Sequence, residues 1–140
     1  MSNHVDKFVE RNEQVVSFLV KIGKDYENAD KNFILFKDFL ISTNYNTTLG
    51  IGFANILQNL TSKDNFADYE LGDISRLFSS LIKTQEFNID TYLEAAHFEW
   101  AVMNNRQKAT DIIIRGLTKA TEKIDELKKL LDNIQKENCP

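Results

Sequence analysis

Residues 90–117 read DTYLEAAHFEWAVMNNRQKATDIIIRGL: an apolar stripe, a polar corner, then a second apolar stripe that closes on Gly116-Leu117. The spacing predicts two helices, and the short NNR corner folds the second back antiparallel to the first. Thr91-x-x-Glu94 has the form of a capping box for the first of them, which sets Ile89, Leu93, Ala96, Trp100 and Met103 on one side. Ala96 and Ala109 are small enough to let the two backbones approach, with Trp100 filling the groove beside them.

The same period extends upstream. The only proline is Pro140, and glycine occurs only at 23, 50, 52, 72 and 116, so the chain has few breakers and reads as all-α. A first stripe runs through Val5, Phe8, Val9, Val15, Val16, Leu19, Ile22 and Tyr26. FILFKDFLI (33–41) is apolar nearly all round and is expected to be the most buried helix. STNYN supplies a turn and an N-cap before Leu49, Phe53, Ile56, Leu57 and Leu60. TSKDNFADYE has no period and is the expected long loop, after which Leu71, Ile74, Leu77, Phe78, Leu81 and Ile82 form another face. The expectation is about six helices in three antiparallel hairpins, at 4–43, 46–84 and 89–117, forming one domain over 1–140. Their starts recur about every 42 residues, as stacked helical arrays do.

Downstream the second helix continues to about residue 137, and the 118–137 extension carries its own pattern. Ile113, Leu117, Ala120, Ile124, Leu127, Leu131 and Ile134 alternate in steps of four and three, a heptad seam widened by Leu130. A helix from Arg106 to Lys136 would span ~45 Å. It either folds along the domain as a cap or meets a partner. A parallel dimer would set Lys123 against Lys128 of the other copy, so an antiparallel pair is preferred. Asp125–Lys129 and Asp132–Lys136 support the solvated face, each worth ~0.3 kcal/mol.

Composition excludes several functions. The 140 residues are 42% apolar and 27% charged, enough for a buried core in an ordinary globular domain. Net charge is −4, and the 17 cations include only four arginines, which argues against a nucleic-acid footprint. The N-terminal MSNHVDKFVERNEQ is polar where a secretion signal is apolar, and no run approaches the ~20 residues of a membrane span. A cytoplasmic protein is expected, with the NTT and NLT triplets at Asn46 and Asn59 unmodified. Cys139 cannot form an internal disulfide.

The residues of 92–117 resemble the tetratricopeptide and half-a-TPR helical repeats. Leu93, Ala96 and Trp100 match the first helix of such a unit; Ala109, Ile113, Gly116 and Leu117 match the second; AHFE (96–99) looks like the half-a-TPR A-x-F-E element. The resemblance covers one copy, and it implies a right-handed stack that binds peptides or proteins on a concave face. Carried onto this chain, that face would hold Thr91, Glu94, Phe98, Ala101 and Val102. It lacks the Lys and Asn pattern with which such repeats clamp a peptide carboxylate, so an amphipathic helix is the better-suited ligand.

Reaction chemistry is sparse. Glu94 and His97 share a helix face as in carboxylate-bridged di-metal bundles, but the second pair is missing, since His4 has no Glu three residues before it. LGIGFAN (49–55) has two glycines without the third that a dinucleotide loop needs. Ser79 and Ser80 have no histidine in their segment. The expected function is therefore a non-enzymatic adaptor without cofactor, catalytic residue or metal. It would bind a protein or peptide partner through Glu94, Phe98, Ala101 and Val102 and through Leu127, Leu131 and Ile134. A homodimer formed through the C-terminal seam is the alternative, and a metal-dependent bundle enzyme a more distant one.

Overall fold

The computed structural model describes residues 4–62 and 69–137, and among them every regular element is helical. Six α-helices follow one another: α1 (His4–Gly23), α2 (Ala29–Ser42), α3 (Gly50–Gln58), α4 (Leu71–Thr84), α5 (Ile89–Ala101) and α6 (Arg106–Lys136). Single 3-10 turns at Tyr26–Asn28 and Thr47–Leu49 lead into α2 and α3. Most of the expected loop TSKDNFADYE, together with Cys139, lies outside the described residues, as do the side chains of Val5, Phe8 and Tyr26. No helix among the described residues is long and apolar enough to cross a membrane. Two compact units emerge, residues 1–77 and 78–140, and the boundary falls inside α4.

In the first unit α1 and α2 are antiparallel. Arg11 donates to the Ser42 carbonyl (3.4 Å) and sits over the Phe39 ring, while Phe18 stacks on Phe39 at 4.1 Å and tilts against Phe36 at 5.7 Å. Antiparallel α3 brings Phe53 onto Phe36 (5.9 Å), and Tyr69 meets Phe33 edge-on at 5.5 Å. The Asp30 carboxylate accepts from the Thr61 hydroxyl at 2.5 Å and from the Ser62 N–H at 3.0 Å, tying the chain after α3 to the start of α2. The STNYN turn forms as expected: Asn44 and Tyr45 both adopt positive φ, and Asn46 caps the following turn by accepting from the Thr48 N–H.

Helix α2 is less buried than its composition implies. Phe33, Phe36 and Leu40 enter the core while Ile34, Leu35 and Ile41 stay exposed, because neighbours cover one side only. At the start of α4, the Asp73 carboxylate accepts the Glu70 N–H and pairs with Arg76; these contacts, in that order, hold its pKa below the usual carboxylate value. The stabilisation is present above that usual value and fades as pH falls through the lowered one.

The second unit contains the C-terminal half of α4 with α5 and α6, and α5 and α6 are the most extensively packed pair in the chain. They run antiparallel: Lys108 pairs with Glu99 near the turn, and Gly116 meets Tyr92 two turns further on. The corner uses Asn104 at φ 53°, and Asn105 caps α6 by accepting the Lys108 N–H at 3.1 Å. The capping box expected at Thr91 does not form, because α5 begins a turn earlier, after Asn88, and Thr91 already stands inside the first turn.

Glycine matters at two close approaches. A Cβ at Gly116 would lie 2.8 Å from Tyr92 Cβ and 2.9 Å from its Cγ, atoms fixed near the backbone. A Cβ at Gly52 would crowd the flexible end of Leu19, at 2.7 Å from Cδ2, and make ordinary contact with the Phe36 ring at 3.5 Å. Alanine gains ~1 kcal/mol of helix propensity at either site, while overpacking costs ~1–3 kcal/mol where neighbours cannot move. Gly116→Ala is therefore expected to lower the thermal midpoint and Gly52→Ala to leave it nearly unchanged, as measured by circular dichroism melts.

Candidate interaction surface

Helix α5 is packed on two sides within its unit. Tyr92, Ala95, Ala96 and Glu99 are buried, as are Thr91 and Phe98, and Phe98 lies 5.7 Å from Phe78 of α4. The remaining side carries Leu93, His97 and Trp100, all exposed, Trp100 by 57%. This reverses the expected faces. Leu93, Ala96 and Trp100 do share a side, but Leu93, Trp100 and Met103 are exposed while two polar residues, Thr91 and Glu99, take interior positions. Phe98 (0% exposed) and Thr91 belong to the interior and not to an open concave face. Of the other expected contact residues, Glu94 is half-buried, and Ala101 and Val102 are exposed near the end of α5.

The exposed side of α5 and the facing side of α6 enclose a groove of about 590 Å³. Ala96 and Ala109 form its floor, and Leu93, Trp100, Ile113 and Ile114 its apolar walls. Trp100 thus stands beside the two alanines as the sequence implied, but as a wall open to solvent. His97 reaches the rim, 6.3 Å edge-on from Trp100. A second hollow, about 300 Å³, lies in the first unit between Leu19, Ile22, Ala29 and Ile56, with Asn32 donating to the Asp25 carbonyl at 3.3 Å beside it.

Two features at the ends of the hairpin gave no sequence signal. Glu99, 2% exposed, meets Lys108 Nζ at 2.9 Å, and its backbone carbonyl accepts the Asn105 N–H at 2.7 Å. At the other end the Tyr92 hydroxyl donates to the Glu86 carbonyl at 2.7 Å, and Lys119 and Lys123 lie over the Phe87 ring. The Glu86 carboxylate, 3.3 Å away, is the main cause that raises the Lys119 pKa. That contribution holds below the usual lysine value and is lost as pH rises through the raised one.

Beyond this hairpin α6 runs on past the Lys123–Phe87 contact. Every residue from 121 to 137 is exposed, including the seam positions Leu127 (67%), Leu131 and Ile134. Within the second unit, residues 121–137 of the helix do not fold back as a cap. Intrahelical pairs decorate its polar sides, Lys123–Glu126 and Lys136–Asp132, each at 2.9 Å. No group of three or more His, Cys, Asp or Glu side chains that could hold a metal occurs among the described residues. Comparison with family models, curated proteins and solved structures finds no match for this chain.

The Thr91 hydroxyl is buried without a hydrogen-bond partner among the described residues. Burying such a group costs ~1–3 kcal/mol. Thr91→Val keeps the shape and removes the hydroxyl, so it is expected to raise stability by ~1 kcal/mol in urea unfolding. An unchanged or lower midpoint would show that the hydroxyl is satisfied.

Proposed function

We propose that the chain is a non-enzymatic protein-interaction module of the cytoplasm, whose C-terminal unit takes up an amphipathic helix or peptide in the α5–α6 groove. The observation that carries this reading is the lining. Leu93, Trp100, Ile113 and Ile114 surround a floor of two alanines, giving apolar area with few groups to orient a polar substrate. Such a groove matches the apolar stripe of a partner helix, with Arg106 and His97 at the rim to meet its polar edges. The likeness of residues 92–117 to tetratricopeptide-type hairpins supports a scaffold role, with docking moved to the face opposite Phe98. The acidic net charge favours protein over nucleic-acid partners. His97 stands beside Trp100 on the groove rim, and we assign it there in preference to a metal site.

Trp100 is the only tryptophan in the chain, so its emission reports directly on this groove. Proteins captured from the source cells by the wild-type chain, but not by a Leu93→Lys/Ile114→Lys variant, supply candidate partner helices. Titrating such a helix should shift Trp100 emission to shorter wavelength, and the shift should vanish in the double variant while its helical circular dichroism persists. Equal capture by the variant and the wild type would remove the groove from the reading.

A further inference from the structure

We infer that the exposed stripe of α6 beyond the groove is covered by a second copy of the same helix, laid antiparallel. This goes beyond the groove reading and uses residues the groove does not need. Leu117, Ile124, Leu127, Leu130, Leu131 and Ile134 are each roughly half to two-thirds exposed, on a helix whose described residues from 121 onward are all exposed. Their exposed area is on the order of 600 Å² per copy, at the upper end of what a monomer leaves open. Two copies facing each other would bury ~1,200 Å², where specific interfaces begin.

Charge beside the seam selects the direction of the second copy. A parallel copy sets Lys123 of each helix against Lys128 of the other beside the seam, and a reversed copy avoids that pairing. The seam supports the same choice. Antiparallel pairing places Ile124 opposite Leu127, Ala120 opposite Leu131 and Leu117 opposite Ile134, each twice by symmetry. Small Ala120 against Leu131 keeps the layer evenly filled. Lys123 then lies beside Leu130 of the other copy, whose exposed carbon its stem covers, and Lys128 lies beside Thr121. Neither lysine directly faces a like charge. In this register Glu137 of one copy ends level with Ile114 of the other, at the mouth of the groove.

Light scattering on the full chain at micromolar concentration should give twice the chain mass of 16.2 kDa, and Leu127→Asp should return it to one chain without loss of helicity. Direction is read from spin labels at Glu126→Cys or Lys136→Cys in a Cys139→Ser background. The register puts the 126 pair within ~15 Å across the two-fold and the 136 pair ~30 Å apart, at ~1.5 Å per residue. A monomer at that concentration overturns the proposal, and so do short distances at both positions, the parallel result. The groove variant Leu93→Lys/Ile114→Lys should keep the doubled mass, and Leu127→Asp should keep the Trp100 response to a partner helix, so the two readings fail separately.

Discussion

The second unit depends on one contact, the approach of Gly116 to the Cβ and Cγ of Tyr92. With no side chain at 116, α6 lies against α5 at a distance only small residues permit, and Ala95, Ala96 and Ala109 maintain it along the interface. The groove follows from that distance. Closely set helices with alanines between them leave a shallow floor, and their larger side chains, Leu93 and Trp100 on one helix and Ile113 and Ile114 on the other, are pushed to its sides. The same contact anchors the first half of α6 and so determines where its unsupported half begins.

Polar groups fix the register of that contact. A buried carboxylate adds little net stability even when paired, yet it is costly to strand. Sliding α6 by one turn would take Lys108 away from Glu99, and at the far end would separate Lys119 from Glu86 and from Phe87. The apolar contacts tolerate a slip better than these do, since α6 carries isoleucine at 112, 113 and 114. The hairpin therefore has a packing contact that sets its spacing and ion pairs that set its alignment.

How much of this was legible in the sequence varies by element. Helix order, the Asn44–Tyr45 turn, the Asn104–Asn105 corner and the long last helix all follow from period and turn chemistry, which are local. The faces of α5 do not. That helix carries apolar residues around most of its circumference, so Leu93, Trp100 and Met103 describe a helical face as well as Tyr92, Ala95 and Phe98 do. Hydrophobicity favoured the larger set, whereas packing on two sides selected the one with small residues and admitted Thr91 and Glu99 to the interior. Helix α2 shows the converse, with apolar positions on both sides and cover for only one. A signal was nonetheless present at Gly116: a glycine in mid-helix weakens it by about 1 kcal/mol, so its presence marks a close neighbour.

Groove and stripe form one continuous apolar track, since Ile113 lines the first and Leu117, one turn on, begins the second. This continuity has a consequence for binding. In the proposed antiparallel pair Glu137 lies level with residue 114 of the other copy, and the two Ile113 positions stand roughly 37 Å apart at ~1.5 Å per residue. A partner that displays two amphipathic helices at about that separation would engage both grooves, and the second engagement would be intramolecular, gaining ~10²-fold or more in overall affinity without any new contact. In that arrangement the long tail would serve a purpose that a single hairpin cannot. It would set the distance between the two proposed grooves, each of which lies beside its own glycine-to-tyrosine contact.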